Sequence, residues 1–548
     1  MAAPDRGASP SEVVDVVIVG NGPSAMILSY ILHGNIPRYK PRHPHPDPLL
    51  HDKLKDAPHL LDLDVPRLTD HFEASRFSYS TQALPVNSLL DALVRPGGEV
   101  EDPEASTCVE WRHVPEKTVP HLILGNAVKP GGQWTECPPD TKWDIQSLSY
   151  AGMLSLPGYS FYDHHRRVHG ADMPPFTRPS RREISDYLAA YPAAVGIGDV
   201  FRSGETVGNV TRERDGFYIG SHNIRCKSLV LASGIFTEPK TARPLLQPLL
   251  RLDASAVPLD QRAPLLVIGS GFSAADIIIS APPHQKIIHI FKWEPETKPS
   301  PLKGCHQRAY PEYAGVYRLM KRSATAAQTL RDSAGRVQCP PFRPGTLTPF
   351  LESRQWDEIY EGLPNTRVMD VTVKDKGQAE VSLCMQDGTT FTRPVSGLSY
   401  AVGRRGSLNY LDNSLREEII RHKETDEGDF ISARTLRAQA LADLEVAKDV
   451  FVIGSLTGDS LIRFAYGGCV YVAGKLMARK QQEEAQSLDV QGGQDAACTA
   501  NGVERGRQGN SPGGTVPGVD NGDVRSCDSV DEKRKSRKER WWPSCLVV

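Results

Sequence analysis

A run of apolar, mostly β-branched residues that ends in a glycine turn most constrains the fold of this chain. The run is Val13 to Val19, the turn contains Gly20 and Gly22, and a predicted helix begins at Pro23. This order of strand, turn and helix is typical of a dinucleotide-binding βαβ unit with the pattern G-x-G-x-x-A. Gly20 would permit the tight turn, and Gly22 would let the backbone approach a pyrophosphate at the helix N-terminus. An ordinary buried strand with a tight turn is the alternative that this motif alone leaves open.

The same pattern occurs a second time near the middle of the chain. The apolar run Pro264 to Ile268 is followed by Gly269, Gly271, Ser273 and Ala274, and helix-favouring residues continue from there. One such match is weak, but two in one chain indicate two dinucleotide sites.

The strand predicted after the second turn carries a cation where a site for NAD would carry an acidic residue. This strand is Lys286 to Phe291, and Lys292 and Trp293 follow it. A positive charge at this place suits the 2′-phosphate of NADP. Trp293 either stacks on the adenine or packs against the protein.

Three further predicted strands end in glycine with an aromatic or polar residue close by. A Gly-Gly-x-Trp step lets the backbone approach a flat ligand beside an indole, and Asp459 would accept hydrogen bonds from a hydroxyl-rich chain. Simple turns with a packing Trp are the alternative. The segments are Pro130 to Trp134, Ala232 to Gly234 and Thr457 to Asp459.

Composition excludes several classes of protein. Lys and Arg number 64 and Asp and Glu 66, so the formal net charge of −2 gives no general reason to expect a nucleic-acid partner. None of the ten cysteines forms a C-x-x-C pair, which argues against a zinc ribbon and against a disulfide-reductase centre. We find no secretory signal and no apolar run long enough to span a membrane, so we expect a cytoplasmic location.

Two segments predict local structure without an evident site. Pro37 to Leu50 contains five prolines and predicts a loop, in which His43 and His45 are more often solvated than bound to a metal. We therefore expect no metal, and the contact to the adenosine ribose stays unassigned. Arg181 to Leu188 predicts an amphipathic helix with its arginines on a solvated face. Solvent is also the expected environment of Arg404 and Arg405, and contact with a phosphate is the alternative for both.

The end of the chain predicts a lipid anchor. Six cations between Lys533 and Arg540 precede two tryptophans and a C-a-a-X box that begins at Cys545. One prenyl group with a polybasic segment would hold the chain at the cytoplasmic face of a membrane. A nuclear-localisation or nucleic-acid patch is the alternative for the cations, and a free thiol is the alternative for Cys545, because Val is not a usual final residue of the box.

The chain has 548 residues. These motifs together predict an α/β fold with two Rossmann-like domains. The second dinucleotide domain is inserted between two segments of the first, and a disordered tail follows. The predicted boundaries are 1–12 for a flexible N-terminus, 13–255 and 441–479 for the two segments of the first domain, 256–440 for the inserted domain and 480–548 for the tail.

The constellation resembles the two-dinucleotide flavoproteins of the flavin-dependent monooxygenase type, and within them the oxidative-stress-induced growth inhibitor family. The resemblance covers roughly Val13 to Met477. It rests on Val19 to Ser24, His45-Pro46, Pro130 to Trp134, Ser273 to Asp276, Tyr310 to Tyr313 and Gly458-Asp459 through Arg463-Phe464 to Gly467-Gly468. The F-x-G-x-x-x-H pattern of the best-studied flavin monooxygenases is missing, which leaves the substrate class open.

The resemblance implies an FAD- and NADPH-dependent monooxygenase-like enzyme that uses O₂ on an unidentified substrate. It also implies roles in restraining proliferation, in cell death and in late cell division, with the midbody as a further location. A regulatory scaffold or redox sensor that keeps only the nucleotide fold is the rival interpretation. The residues expected to bind FAD are Gly20, Gly22, Pro23, Ser24, Gly132, Trp134, Gly234, Gly458 and Asp459, and those expected to bind NADPH are Gly269, Gly271, Ser273, Ala274 and Lys292.

Overall fold

The structure is a computed structural model and describes residues 11 to 500, except for 76, 78, 98–105, 254–256, 259–260, 328–348, 376 and 421–429. Side chains are described as far as residue 486. Cys545 and most of the predicted tail lie outside the described residues, so the lipidation predicted there stays a prediction. Residues up to Met477 form one compact unit.

Strands occur along the whole described part of the chain. The strands are β1 (Glu12–Val19), β2 (Asn35–Tyr39), β3 (Val109–His113), β4 (His121–Gly125), β5 (Phe201–Ser203), β6 (Val210–Glu213), β7 (Gly216–Ile219), β8 (Ile224–Leu231), β9 (Glu238–Pro239), β10 (Leu265–Ile268), β11 (Ile287–Phe291), β12 (Tyr360–Pro364), β13 (Arg367–Val373), β14 (Ala379–Cys384), β15 (Thr390–Val395), β16 (Gly397–Tyr400), β17 (Arg404–Ser407), β18 (Phe430–Ile431), β19 (Glu445–Ala447) and β20 (Val450–Val452).

The helices connect and cover these strands. They are α1 (Pro23–Leu32), α2 (Pro48–Leu54), α3 (Val65–Thr69), α4 (Pro85–Val94), α5 (Ala151–Leu154), α6 (Phe161–His169), α7 (Arg181–Val195), α8 (Phe272–Ser280), α9 (Pro311–Ala327), α10 (Pro349–Glu352), α11 (Trp356–Ile359), α12 (Asn413–Ile419), α13 (Arg437–Ala442) and α14 (Tyr466–Ala500). Within the described part of the chain, no helix has the combination of length and apolarity that crossing a membrane requires.

The larger sheet is organised around β1, which runs parallel to β4 on one side and to β8 on the other. Its strand order is β19-β20-β8-β1-β4-β5, with β7 and β6 added antiparallel at β8. Because the chain leaves β1 toward β4 and later returns to its other side at β8, the carboxyl edge at β1 is a topological switch point. Open α/β sheets bind their ligands at such a point.

The second sheet repeats this arrangement on a smaller scale. Strand β10 lies between β11 and β16, β12 follows β11, and every pair is parallel. Strands β13, β14 and β15 form a separate antiparallel sheet, with a tight turn at Asp387-Gly388. The predicted fold class, α/β with two Rossmann-like sheets, is confirmed.

Burial explains why the first strand and helix need so many apolar residues. Val16 to Val19 are buried in β1, and α1 buries every residue from Ala25 to Leu32. A parallel strand covered on both faces reads as a continuous apolar run rather than an alternating one. Each fully buried Val, Leu or Ile side chain stabilises the fold by about 1.5–3 kcal/mol.

The prediction of a loop from Pro37 to Leu50 is wrong at both ends of that segment. Asn35–Tyr39 forms β2, which pairs antiparallel with β3, and α2 begins at Pro48. Pro37 is tolerated because the two-stranded sheet leaves one edge of β2 unpaired. His45 is buried rather than solvated: its Nδ1 accepts a hydrogen bond from the Asp47 N–H at 3.0 Å.

The helix α14 continues to Ala500, past residue 480 where the sequence predicts disorder to begin. Helix growth from an existing helix adds one hydrogen bond per residue without the cost of a new nucleus. The buried first turns, from Tyr466 to Met477, supply that nucleus. The first part of the predicted tail is therefore helical.

A buried ion pair connects α4 to the segment before α14, and we expect its loss to be costly. Asp91 accepts hydrogen bonds from Nε of Arg463 at 2.9 Å and from Nη2 of the same guanidinium, and both side chains are buried. Asp91→Ala would leave a buried cation without its counter-ion and lower the free energy of unfolding by about 3–5 kcal/mol. Urea unfolding measures this. The control is Asp52→Ala, which removes an exposed pair with Lys55 and should change that energy by less than about 1 kcal/mol.

Candidate functional site

The first glycine turn combines one crowded glycine with one open glycine. Gly20 has φ +116°, and a Cβ atom added there would lie 2.4 Å from the carbonyl oxygen of Ala232. A Cβ atom added at Gly22 would meet nothing within 4 Å. Gly22 is also the N-cap of α1, and no side chain caps that helix end. The free N–H groups of the first turn therefore face space large enough for an anionic group.

Glycines from the neighbouring strand ends meet around this turn. A Cβ atom at Gly132 would lie 3.1 Å from the Cα of Gly22, and one at Gly454 would lie 2.4 Å from the Oγ of Ser24. Gly234, with φ +72°, lies against the Oγ of Ser455 in the same way, at 3.3 Å. The carboxyl ends of β1, β4, β8 and β20 thus come together at glycines, with the small side chains of Asn21 and Ser24 packed against them.

Asp459 is buried at this edge and is held by the protein itself. Its Oδ2 accepts hydrogen bonds from the Leu84 N–H at 2.8 Å and from Nδ2 of Asn87 at 2.6 Å, and its Oδ1 accepts one from Nη1 of Arg437 at 2.6 Å. A carboxylate oxygen can accept two hydrogen bonds, so Oδ1 keeps one position for the predicted ligand hydroxyl. Gly458 beside it has φ +94°, and a Cβ atom there would lie 2.8 Å from the carbonyl oxygen of Ala433.

The second glycine turn repeats the geometry of the first. A Cβ atom at Gly269 would lie 2.3 Å from the carbonyl oxygen of Ala401, whereas one at Gly271 would have a single neighbour, Cγ of Pro301, at 4.0 Å. Gly271 is the N-cap of α8, again without a side-chain cap. In both turns the first glycine packs on a neighbouring strand end and the second leaves room in front of a helix N-terminus.

A fully buried imidazole, that of His289, forms a hydrogen bond with the backbone of the second glycine turn. Nε2 of His289 lies 2.7 Å from the carbonyl oxygen of Gly269, and its Nδ1 lies 2.8 Å from Oη of Tyr360. Burial lowers the pKa of His289 to about 4, so the ring is neutral near pH 7. The Nε2–H therefore donates to Gly269, and the Tyr360 hydroxyl donates to Nδ1.

Lys292 lies beside this second turn, and Lys240 interacts electrostatically with Lys292 and with Arg405. Lys292 is exposed, and its backbone N–H donates to Oγ of Ser270 at 2.9 Å. Burial first, and then the positive charges of Arg405 and Lys292, lower the pKa of Lys240. Arg405 is buried rather than solvated as predicted, because strand β17 pairs with β9 and carries it inward. Of these three cations, Lys240 and Lys292 are exposed, and their charges suit a phosphate group.

Trp134 lies in the hydrophobic core rather than at an open surface. It is 4% exposed, and the guanidinium of Arg181 lies 5.4 Å from its ring centroid. Arg181 is itself buried, contrary to the predicted solvated face, because its guanidinium donates to the carbonyl oxygens of Gln133 and Glu136. Residue 181 thus fixes the Gly-Gly-x-Trp step by binding its backbone.

A small cavity separates the Trp134 segment from helix α8. Its volume is about 20 Å³, enough for a water molecule, and its lining includes Trp134, Arg181, Asp276 and Tyr313. The Tyr313 hydroxyl donates to Oδ1 of Asp276 at 2.8 Å. Burial raises the pKa of Asp276 to about 6, against the lowering effects of the Tyr313 hydrogen bond and the Arg181 charge. This carboxyl is thus a proton-exchanging group near neutral pH.

The structure brings the sequence-predicted residues together in two groups. Those expected at FAD meet at the carboxyl edge of the larger sheet, and those expected at NADPH meet at the second turn; their roles stay predictions. Sequence reasoning missed several residues because their partners are distant in sequence. These are Ser455 beside Gly234, Asn87 and Arg437 at Asp459, Asp91 at Arg463, His289 and Lys240 near the second turn, and Arg181 and Asp276 at the cavity.

Two Rossmann-like sheets, each with a glycine turn in front of an uncapped helix, define the two-dinucleotide-binding class of α/β proteins. No family model matches the chain. The chain is similar to oxidative stress-induced growth inhibitor 1 of Mus musculus, at 27% identity over 87% of this chain and 98% of the relative. Oxidative stress-induced growth inhibitor 2 of Homo sapiens is 24% identical over 85% of this chain and 94% of its own. The resemblance predicted from the sequence is confirmed.

Solved structures similar to the chain include a flavin-containing monooxygenase from Stenotrophomonas maltophilia, with a TM-score of 0.46, 14% identity and coverage of 85% of this chain and 99% of that one. A bacillithiol disulfide reductase from Staphylococcus aureus has a TM-score of 0.44 and 11% identity, with coverage of 86% and 99%.

The two glycines of the first turn give a matched pair of variants. Gly20→Ala should lower the free energy of unfolding by several kcal/mol, because it adds a Cβ atom 2.4 Å from a backbone oxygen at a φ that L residues avoid. Gly22→Ala should leave thermal stability within a few degrees of wild type while filling the space before α1. Thermal unfolding of both variants, followed by circular dichroism, checks the contrast; equal losses would contradict it.

Asp276 should make stability depend on pH in a definite direction. Its pKa is raised in the folded state, so the folded protein binds that proton more tightly, and the free energy of unfolding falls as pH rises from about 4 through about 6. Between these pH values the free energy of unfolding of wild type should fall by roughly 1–3 kcal/mol more than that of Asp276→Asn. Urea unfolding at pH 4.5 and pH 7.5 measures the difference. Asp144→Asn, at an exposed carboxyl, should run parallel to wild type.

Proposed function

We propose that this chain is an FAD- and NADPH-dependent, monooxygenase-like oxidoreductase. The observation that carries the proposal is the repeated turn, in which Gly20 and Gly269 pack against strand ends while Gly22 and Gly271 leave open space before a helix N-terminus. One such turn would bind one pyrophosphate, and two turns correspond to a flavin dinucleotide and a nicotinamide dinucleotide.

The residues of each turn have separate tasks in this proposal. The N-terminus of α1, with Gly22, Pro23 and Ser24, binds the pyrophosphate of FAD, and Gly132 and Gly234 let its chain pass between the strand ends. Asp459 accepts a hydrogen bond from a hydroxyl of that chain. When bound, FAD supplies hydride acceptance from NADPH and the reaction with O₂, and the protein orients the two nucleotides and excludes water.

At the second turn, Gly271, Ser273 and the N-terminus of α8 bind the pyrophosphate of NADPH. Ala274 is buried and small, which allows α8 to pack closely on β10. Lys292, with Lys240 and Arg405 nearby, binds the 2′-phosphate. This arrangement makes NADPH the preferred nucleotide over NADH.

A role in restraining growth is part of the proposal, and it rests on the names of the relatives, which are growth inhibitors induced by oxidative stress. An oxidoreductase that consumes NADPH and O₂ would connect such a role to the redox state of the cell. We therefore propose that the regulatory function depends on nucleotide occupancy.

Absorbance spectroscopy of the purified full chain tests the proposal. We expect flavin absorption after reconstitution with FAD and bleaching on addition of NADPH without oxygen. Gly22→Ala should weaken FAD binding at least tenfold, about 1.4 kcal/mol, while Gly271→Ala should keep the flavin and lose the bleaching. Each variant is the control for the other, because both fill open space before a helix and alter different sites.

The scaffold alternative predicts the opposite results. Wild type that takes up no added FAD would remove the enzymatic proposal and leave a nucleotide-fold scaffold. Flavin that is bound but is not reduced by either nicotinamide nucleotide would remove the NADPH part alone.

Lys292→Glu should shift the nucleotide preference. Replacing a cation by an anion beside the 2′-phosphate should lower the ratio of kcat/KM for NADPH to that for NADH by about tenfold or more, the effect of about 1.4 kcal/mol. Lys286→Glu makes the same charge change at the other end of β11 and should leave the ratio unaltered. The rate of flavin reduction with each nucleotide is the measurement, and equal shifts in the two variants would contradict a local phosphate contact.

A further inference from the structure

Two adjacent helices bring two imidazoles and a carboxylate together away from both glycine turns. His165 and His169 lie on α6, and Glu183 lies in the first turn of α7. One ligand atom from each of the three side chains lies within 4.8 Å of the other two. The histidine rings are 4.4 Å apart between centroids.

The spacing along α6 produces this arrangement directly. Residues i and i+4 of a helix are neighbours on one face, so His165 and His169 present their rings to the same side. Side chains that bind a metal at about 2.1 Å have ligand atoms roughly 3.4 Å apart, so the present separations of up to 4.8 Å would shorten on binding. Two imidazoles and one carboxylate form a common set of protein ligands for Zn²⁺ in open sites.

Glu183 is held in place by the helix cap. Its Oε2 accepts hydrogen bonds from the backbone N–H and from the Oγ of Ser180, both at 2.7 Å. The cap uses Oε2 alone, so Oε1 is available to a cation. A hydrogen-bonded carboxylate keeps its orientation and is a better metal ligand than a free one.

The charges around the three side chains are balanced. Arg166, next to His165, donates to Oδ1 of Asp172 at 2.8 Å and lies 3.9 Å from Asp163. Arg167 and Arg182 are exposed, as is Asp186 one turn along α7. A divalent cation would add to a surface on which acidic groups already accompany the arginines.

We propose that His165, His169 and Glu183 bind a divalent transition-metal ion, with Zn²⁺ the best match, and that a fourth coordination position stays open to water. The ion would connect α6 to the N-terminus of α7, two residues from Arg181, whose guanidinium holds the Trp134 segment. The site is independent of the proposed nucleotide chemistry, and it differs from the sequence-based expectation of no metal.

Zinc binding to the full chain tests the site. The metal-free protein is dialysed against micromolar ZnCl₂, and zinc per chain is measured by elemental analysis, with affinity from calorimetry. We expect His169→Ala and Glu183→Gln each to lose one zinc per chain or to weaken that binding at least tenfold. His169 is exposed and Glu183 is half-buried, so neither substitution disturbs the core. The Gln side chain keeps an oxygen that can accept the hydrogen bonds of the Ser180 cap. The control His284→Ala removes an exposed imidazole elsewhere and should bind as wild type does.

Cobalt supplies a second readout that a general loss of stability would not mimic. Co²⁺ in a site with two imidazoles and a carboxylate should give visible absorption bands that disappear in His169→Ala while the thermal unfolding midpoint without metal is unchanged. Equal zinc content and equal cobalt spectra in wild type, His169→Ala and Glu183→Gln would overturn the proposal. So would wild type that retains no zinc after dialysis.

Discussion

The close approach of backbone segments at Gly20 is the constraint on which the rest of the molecule depends. The Ala232 carbonyl oxygen occupies the space where any other residue would carry its Cβ atom. This contact lets β1 and β8 end side by side at the carboxyl edge of the sheet. The N-terminus of α1 faces that edge. Gly132, Gly234 and Gly454 likewise allow close approach of neighbouring segments beyond the ends of β4, β8 and β20. The open space before α1 therefore comes from glycine, which has no side chain.

The polar contacts around the edge act as supports. Asp459 and Asp91 connect α4 to the segment that precedes α14, and Arg437 and Arg463 supply the opposite charges. At the second turn the neutral His289 fulfils a comparable role by binding the Gly269 carbonyl oxygen. Buried charges and imidazoles of this kind are costly to desolvate, and they persist where each hydrogen-bonding position is matched. They keep the glycine turns rigid without narrowing the open space.

Trp134 and Asp276 line the small cavity between the Gly-Gly-x-Trp step and α8. Arg181 lies over the indole and lowers the pKa of Asp276, while burial raises that pKa more strongly, so the carboxyl stays close to its titration point near neutrality. The hydrogen bond from the Tyr313 hydroxyl fixes the orientation of the Asp276 carboxyl. A titrating group between the Gly-Gly-x-Trp step and α8 gives the molecule a proton-exchanging residue beside both predicted nucleotide sites.

Local sequence determined the two strand–turn–helix units, because apolar runs, glycine positions and helix starts depend on residues that are neighbours in the chain. It likewise determined the α/β class and the strands predicted at Pro264 to Ile268 and at Lys286 to Phe291. Tertiary structure alone decided that Arg181 and Arg405 are buried, that His45 is not solvated, and that Asp459 pairs with Arg437. Those outcomes depend on residues far apart in sequence, and burial and pairing are properties of the packed chain. For the same reason, the meeting of His165, His169 and Glu183 became visible only once the end of α6 lay near the first turn of α7.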